Sequence, residues 1–300
     1  MIKLYAVIES SLTENIPMKQ DYLKHYEERK ADNIPPLALD AVQTKSVVDH
    51  LIKGSDDDFY LDLLTHRVPP GVDEAAYVKA GFLTSVAKGE QACPAITQEH
   101  ATFLLGTMLG GYNIDSLIDL LDIDATAEAA CKALSHTILI YETYQSIIEK
   151  SVTNAFAKKV VDSWANADWF TAKNVMPEEI KVVVFRVDGE TNTDDLSPAT
   201  EAWSRPDIPL HANSMLIKKM DKPLETITKL KEKGLPLAYV GDVVGTGSSR
   251  KSAINSVLWH MGNPIDYIPN KNNGGVVLGG KIAPIFFNTA EDSGVLPIEC

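Results

Sequence analysis

Cysteine is scarce: three residues in 300, Cys93, Cys131 and Cys300, which excludes a disulfide scaffold. Three thiols cannot all pair with one another and no Cys-x-x-Cys occurs, so the usage suits a reducing compartment better than a secreted one. Nothing here ligates a metal cluster by recognisable local spacing. Long apolar runs are also missing. None approaches the roughly 18 residues a membrane span needs, and Leu4-Tyr5-Ala6-Val7-Ile8 is too short for a signal-peptide core. A cytoplasmic protein with no membrane partner is the expectation. Positive charge is in deficit as well, with a formal charge of −13 of which most falls before residue 171. That deficit argues against sequence-independent DNA binding, whose affinity comes mainly from Lys and Arg neutralising phosphates. What is present is ordinary globular material, 45% hydrophobic and 23% charged, so disorder and collagen are excluded and the length suggests two domains.

From Met18 to about Phe170 the pattern predicts a succession of amphipathic helices and no strand. Asp73-Glu74-Ala75-Ala76 starts one of them after the stop Val68-Pro69-Pro70-Gly71, with Tyr77, Ala80, Phe82 and Val86 recurring at helical spacing. Further helices are expected over Gln98–Leu109, Ala125–Ser135, Thr137–Lys150 and Thr153–Phe170. Short links favour antiparallel neighbours, so stacked helical pairs of an α-solenoid are expected. After Met176-Pro177 the texture changes. Lys181–Val187, Leu235–Val240, Val276–Leu278 and Ile282–Phe287 read as strands, and a helix is expected from about Lys251 to Met261. The second half is therefore an α/β unit, with a boundary near residue 172.

The most informative stretch is Gly241-Asp-Val-Val-Gly-Thr-Gly-Ser248-Ser249-Arg250-Lys-Ser252. Strand, glycine loop and helix start follow in the order that builds an anion site: glycines allow close backbone approach, and unpaired N–H groups at the helix N-terminus point at the ligand. Ser248 or Ser249 can cap the helix, and Arg250 adds a planar fork for carboxylate or phosphate. A P-loop is excluded, because Arg250 stands five residues after Gly245 and Thr246 five after Gly241. The dinucleotide fingerprint fails too, with Arg250 where a third small residue belongs. A tight turn without a ligand is the alternative. A second polar cluster, Thr191-Asn-Thr-Asp-Asp-Leu-Ser-Pro198, followed by Arg205, is a site loop or simply a turn. His25, His50, His66, His100, His136, His211 and His260 show no metal-ligand spacing and read as structural.

The segments 241–252, Gly-Glu-Thr-Asn-Thr-Asp-Asp-Leu-Ser-Pro (189–198), Ala-Trp-Ser-Arg-Pro-Asp-Ile-Pro-Leu-His-Ala (202–212) and Gly-Gly-Lys-Ile-Ala-Pro-Ile-Phe-Phe-Asn-Thr (279–289) resemble the bacterial aconitase B family, the bifunctional aconitate hydratase 2 and 2-methylisocitrate dehydratase. The helical half joins through residues 63–82 and 104–113, so the likeness runs from Met18 onward. It implies a fold of α + α/β class: a HEAT-like α-solenoid domain over 18–171, then a swivelling β/α domain, of the aconitase swivel type, over 172–300 and incomplete at its C-terminus. Residues 1–17 read as an extra upstream segment, with Met18 as an alternative start.

The resemblance further implies a hydro-lyase of the tricarboxylic acid cycle that interconverts citrate and isocitrate through cis-aconitate and dehydrates 2-methylisocitrate. The family's catalytic serine falls on Ser248, and Arg205, Ser248, Ser249 and Arg250 match substrate-binding positions. The [4Fe–4S] cluster of the full-length enzyme has no ligands in this chain. Its C-terminal catalytic domains are missing partners, and the chain alone is expected to be inactive. A homodimer through the helical domain and mRNA binding are also implied. The competing readings are a non-catalytic interaction module built on the helices and a phosphate- or nucleotide-binding protein.

Overall fold

The computed structural model describes residues 18–31, 36–54, 57–69, 71–137, 143–171 and 177–300. The expected upstream segment 1–17 and the expected boundary near 172 lie outside the described residues.

Its first half is helical: α1 (Met18–Ala31), α2 (Ala41–Lys53), α3 (Asp57–His66), α4 (Glu74–Ala87), α5 (Gln98–Gly106), α6 (Ile114–Leu120), α7 (Ala127–His136), α8 (Tyr144–Lys150), α9 (Ala155–Ala165) and α10 (Asp168–Thr171). Local chemistry sets the ends. Asp40 and Gln43 form a reciprocal capping box at the start of α2, which stops at Gly54 in the left-handed region, φ 68°. Asp73 caps α4 by accepting from the N–H of Ala76 at 3.0 Å, and Thr97 caps α5 through His100 at 3.1 Å. Ala76, Ala80, Leu83 and Ala87 form the buried stripe of α4 at i, i+4, i+7 and i+11. Tyr77, expected on that face, lies beside the stripe, 54% exposed, and packs on Tyr112 with ring centroids 4.5 Å apart and the rings tilted by 40°. The expected helix Thr153–Phe170 is two, broken where Ala167 adopts φ 52°. Residues 138–142 of the expected helix Thr137–Lys150 lie outside the described residues.

The second half is built on a four-stranded parallel sheet in the order β1-β2-β5-β6: β1 (Val183–Asn192), β2 (Leu237–Thr246), β5 (Val276–Ile282) and β6 (Leu296–Glu299). Four α-helices, α11 (Thr193–Leu196), α12 (Ile208–Ala212), α13 (Pro223–Lys231) and α14 (Arg250–Met261), and a 3-10 helix over Ala199–Ser204 intervene before a two-stranded antiparallel hairpin, β3 (Asn263–Ile265) with β4 (Ile268–Asn273). α15 (Pro284–Asp292) follows β5. Two expectations need correction. β1 runs on past the expected end at Val187 to Asn192, because Gly189, at φ 75°, takes up a bulge and donates its N–H to the Asp242 carboxylate at 2.7 Å. Ile282–Phe287 is not a strand: β5 stops at Ile282 and Pro284 opens α15, since proline cannot donate to a ladder but suits a first helical turn.

Each half has its own apolar core, one around Leu51, Leu64, Leu83, Leu105 and Leu117, the other around Phe185, Tyr239, Val257 and Phe286. The halves touch. Tyr267, at the tip of the β3–β4 hairpin with φ 60°, packs on the helical core with its ring centroid 5.3 Å from Phe103 and 4.9 Å from His136. Arg67 stands 3.9 Å from the Asp207 carboxylate, and the Arg29 guanidinium lies 5.4 Å over the Trp203 ring.

Candidate functional site at the carboxyl ends of the strands

Parallel β/α sheets bind ligands outside the carboxyl ends of their strands, where loops enter the following helices. Here β1 and β2 end side by side, Asn192 in register with Thr246. Beyond them the two polar segments singled out in the sequence meet. Gly247 adopts φ 104°, and a Cβ there would lie 2.6 Å from Thr193 Oγ1, so only glycine lets the loop pass this close. Thr193 Oγ1 in turn accepts the N–H of Ser249 at 3.1 Å.

The Thr191–Pro198 cluster divides its work between turn and site. Asn192 Oδ1 accepts from the N–H groups of Asp194 and Asp195 at 2.9 and 2.8 Å, and the Asp195 carboxylate accepts from Asn192 N–H at 3.0 Å; these residues cap α11. Thr193 faces the glycine loop instead, and the Ser197 hydroxyl faces His211 and Ser252 of α14.

Ser249 stands at the N-cap of α14, but its side chain makes no cap bond, contrary to expectation. Its Oγ accepts from Arg205 Nη2 at 3.0 Å, across 44 positions of sequence. Arg205 also donates to the Ser197 carbonyl at 3.2 Å, and its Nε is buried without a partner. Arg250 donates to the Gly247 carbonyl at 3.3 Å, which folds its guanidinium back over the loop. Ser248 is exposed at the tip, and its hydroxyl has no hydrogen bond among the described residues. The four expected site residues are therefore brought to one place: a free serine hydroxyl, a second serine held by an arginine, and a helix N-terminus whose first turn has no side-chain cap. Such an arrangement suits a ligand carrying carboxylates, because the guanidinium forks and helix dipole all favour negative charge.

Sequence reasoning missed the layer beneath. His211, on α12, is 2% exposed. Its Nε2 lies 2.7 Å from Ser197 Oγ and its Nδ1 2.8 Å from Ser204 Oγ. Burial, reinforced by the neighbouring Arg205 charge, lowers its pKa from 6.5 to about 4, so the ring is neutral at pH 7. The only signal in the sequence was the helical i, i+4 spacing of Asp207, the α12 cap, and His211, too common to single out.

Among the described residues no group of three His, Cys, Asp or Glu side chains could hold an ion. The thiols are dispersed: Cys93 Sγ donates to the Leu51 carbonyl, Cys131 Sγ to that of Phe156, and Cys300 is exposed on the second half.

Fold and site define an α + α/β protein with an arginine-flanked glycine loop at its strand ends. Residues 21–170 match the family described as "Aconitate B N-terminal domain" and residues 182–300 the one described as "Aconitate hydratase 2 N-terminus". "Aconitate hydratase B" of Synechocystis is 59% identical over 288 residues, 94% of this chain and 33% of that protein. The Escherichia coli (strain K12) protein of the same name is 56% identical over 296 residues, 94% of this chain and 34% of its own length, and that of Helicobacter pylori is 53% identical over 282 residues, 93% and 33%. The chain belongs to the aconitase B family, and it spans about a third of the length of these curated relatives.

Proposed function

We propose that this chain supplies the serine and carboxylate-holding part of an aconitate hydratase, a hydro-lyase that interconverts citrate and isocitrate through cis-aconitate and also acts on 2-methylisocitrate. The observation that carries the reading is the Arg205–Ser249 hydrogen bond, which assembles the site from two separated segments beside the free Ser248 hydroxyl. Arg205 and Arg250 hold substrate carboxylates, Ser249 orients one of them, and the uncapped turn of α14 receives negative charge. Ser248 is the base that removes the proton next to a carboxylate in dehydration and returns it in hydration. A serine alkoxide needs a strongly lowered pKa, and a helix N-terminus with two guanidinium groups supplies part of that stabilisation.

The family resemblance implies a [4Fe–4S] cluster. The residues present do not fit one, since no two of the three cysteines share a neighbourhood, and no step is assigned to a cluster held by this chain. The remaining catalytic groups come from domains outside these 300 residues. The finer architecture of the proposal is a HEAT-like helical domain over 18–171 and a swivel-type domain over 172–300, in a cytoplasmic protein. Dimerisation through the helical half and mRNA binding rest on the resemblance alone.

Calorimetric titration with citrate tests the reading. Binding is expected for the native chain, weakened about tenfold or more in Arg205→Ala and Arg250→Ala, because a charge-assisted hydrogen bond contributes about 1.5–3 kcal/mol. Equal affinity in both variants would remove the site. The purified chain is expected to turn over no citrate by itself.

A further inference from the structure

We propose that His211 is the positioning residue of this site: its imidazole links Ser197 and Ser204 into one chain of hydroxyls that sets where Arg205 and Ser249 stand. The ring is too deeply buried to meet a ligand, so it acts through its neighbours. On one side, Ser252 Oγ lies 2.8 Å from Ser197 Oγ, whose own proton goes to Nε2 of the neutral ring because Nδ1–H supplies Ser204, and 3.1 Å from the Ser249 carbonyl. On the other, Ser204 immediately precedes Arg205 in the chain and also reaches the Glu201 carbonyl at 2.8 Å. Both faces of the ring therefore end on the arginine–serine pair, one through Ser204 and one through Ser197 and Ser252.

A neutral imidazole suits this place for a definite reason. It offers one donor and one acceptor nitrogen on opposite edges of a rigid ring, so it can satisfy hydroxyls on two separate segments at once. Those segments carry Arg205 at two points, since the same Ser197 also holds Arg205 Nη2 through its carbonyl. A neutral ring can sit beside a guanidinium without repelling it, which lysine or arginine could not do. An apolar side chain would leave buried hydroxyls short of a partner. The surrounding backbone is committed to holding the ring in place. Asp207 caps α12 by accepting from the Leu210 N–H at 3.0 Å. Leu216, fully buried at φ 63°, donates its N–H to the Asp195 carbonyl at 2.8 Å and so ties the turn after α12 to α11.

The functional consequence rests on the carboxylate-binding reading above, while the geometric claim does not, and the test separates them. His211→Gln, His211→Asn and His211→Phe are made in the full chain and compared by ¹⁵N–¹H spectra and by citrate titration. The glutamine amide reaches the place of Nε2 and keeps the link to Ser197. His211→Gln is therefore expected to leave the Ser249, Arg250 and Lys251 amide signals and the Arg205 side-chain signal near their native positions. Asparagine and phenylalanine lose that link, so those signals are expected to shift and citrate affinity to fall about tenfold. Unchanged loop signals in folded His211→Asn and His211→Phe would overturn the proposal. Where these fail to fold, Ser197→Ala, which keeps the ring and removes the hydroxyl, must move the Ser249 signal, and an unmoved signal overturns it equally. A native chain that binds no citrate would sink the substrate reading and leave the loop signals to decide the role of His211.

Discussion

At the residue scale the buried titratable groups set how stability responds to pH. His211 and His260 both have pKa values lowered to about 4, by burial first; Arg205 adds to this at His211 and Lys231 at His260. Below pH 6.5 the unfolded chain takes up protons on these rings, while the folded chain does so only near pH 4. Stability is therefore lost as pH falls through that window, by about 3 kcal/mol for a fully buried ring. Urea unfolding at pH 7 and pH 4.5 should show the loss, and His211→Gln should reduce it. Lys79 is a different case. The residue is 2% exposed, and its ammonium donates to the Thr65 carbonyl at 3.4 Å and has a pKa lowered to about 8 by burial. One long hydrogen bond offsets little of the desolvation of a charge. Lys79→Met is expected to raise stability by ~1–3 kcal/mol at pH 7, read as a higher thermal midpoint. The native chain, but not this variant, should gain stability from pH 8 towards pH 10.5, where only the folded form has released the proton. A lower midpoint would show that the ammonium is held by more than this bond.

At the scale of elements, the meeting of α11 with the start of α14 makes the candidate site, and it depends on Gly247. Alanine there would hold φ at 104° against its preference and press its Cβ on Thr193 Oγ1, the acceptor for Ser249 N–H. Gly247→Ala is expected to cost about 1–3 kcal/mol, measured as a lower urea midpoint, and to shift the Ser249 amide signal. A stability loss with an unmoved Ser249 would mean that the strain is absorbed elsewhere in the loop. The helix itself is legible from sequence, because Ala253, Ile254, Val257, Leu258 and Met261 recur on its buried face. Its cap was not, because whether a serine hydroxyl turns to its own backbone or to a distant guanidinium is decided by what stands nearby. The hairpin of β3 and β4 escaped the sequence reading for a related reason: Asn263-Pro264-Ile265 and Ile268–Asn273 are short, and their polar residues do not alternate cleanly with apolar ones.

For the molecule as a whole, the hairpin tip joins the two halves. Tyr267 fits against Gly106, where a Cβ would lie 2.8 Å from the Tyr267 ring and 2.6 Å from Ala133 Cβ. Two further contacts, Arg67 with Asp207 and Arg29 with Trp203, grip the segment that carries Arg205. Tyr267→Ala removes a half-buried aromatic from this junction, at an expected cost of about 1–3 kcal/mol. Because each half has its own core, the expected signature is a thermal transition that splits in two, with hydrogen exchange rising first in the hairpin and α5. A single transition with unchanged exchange would show that the polar contacts suffice.

The sequence by itself determined the change from helices to strands after residue 176 and the glycine-rich approach to α14, while Arg205, Ser248, Ser249 and Arg250 were singled out together only through the family resemblance. Those features are local: periodicity and glycine placement are written in neighbouring residues. Tertiary structure alone decided that Arg205 meets Ser249, that Ser248 is left free, and that His211 lies beneath both. Such contacts join residues far apart in the chain, and a buried polar side chain takes its partner from the fold around it rather than from its neighbours in sequence.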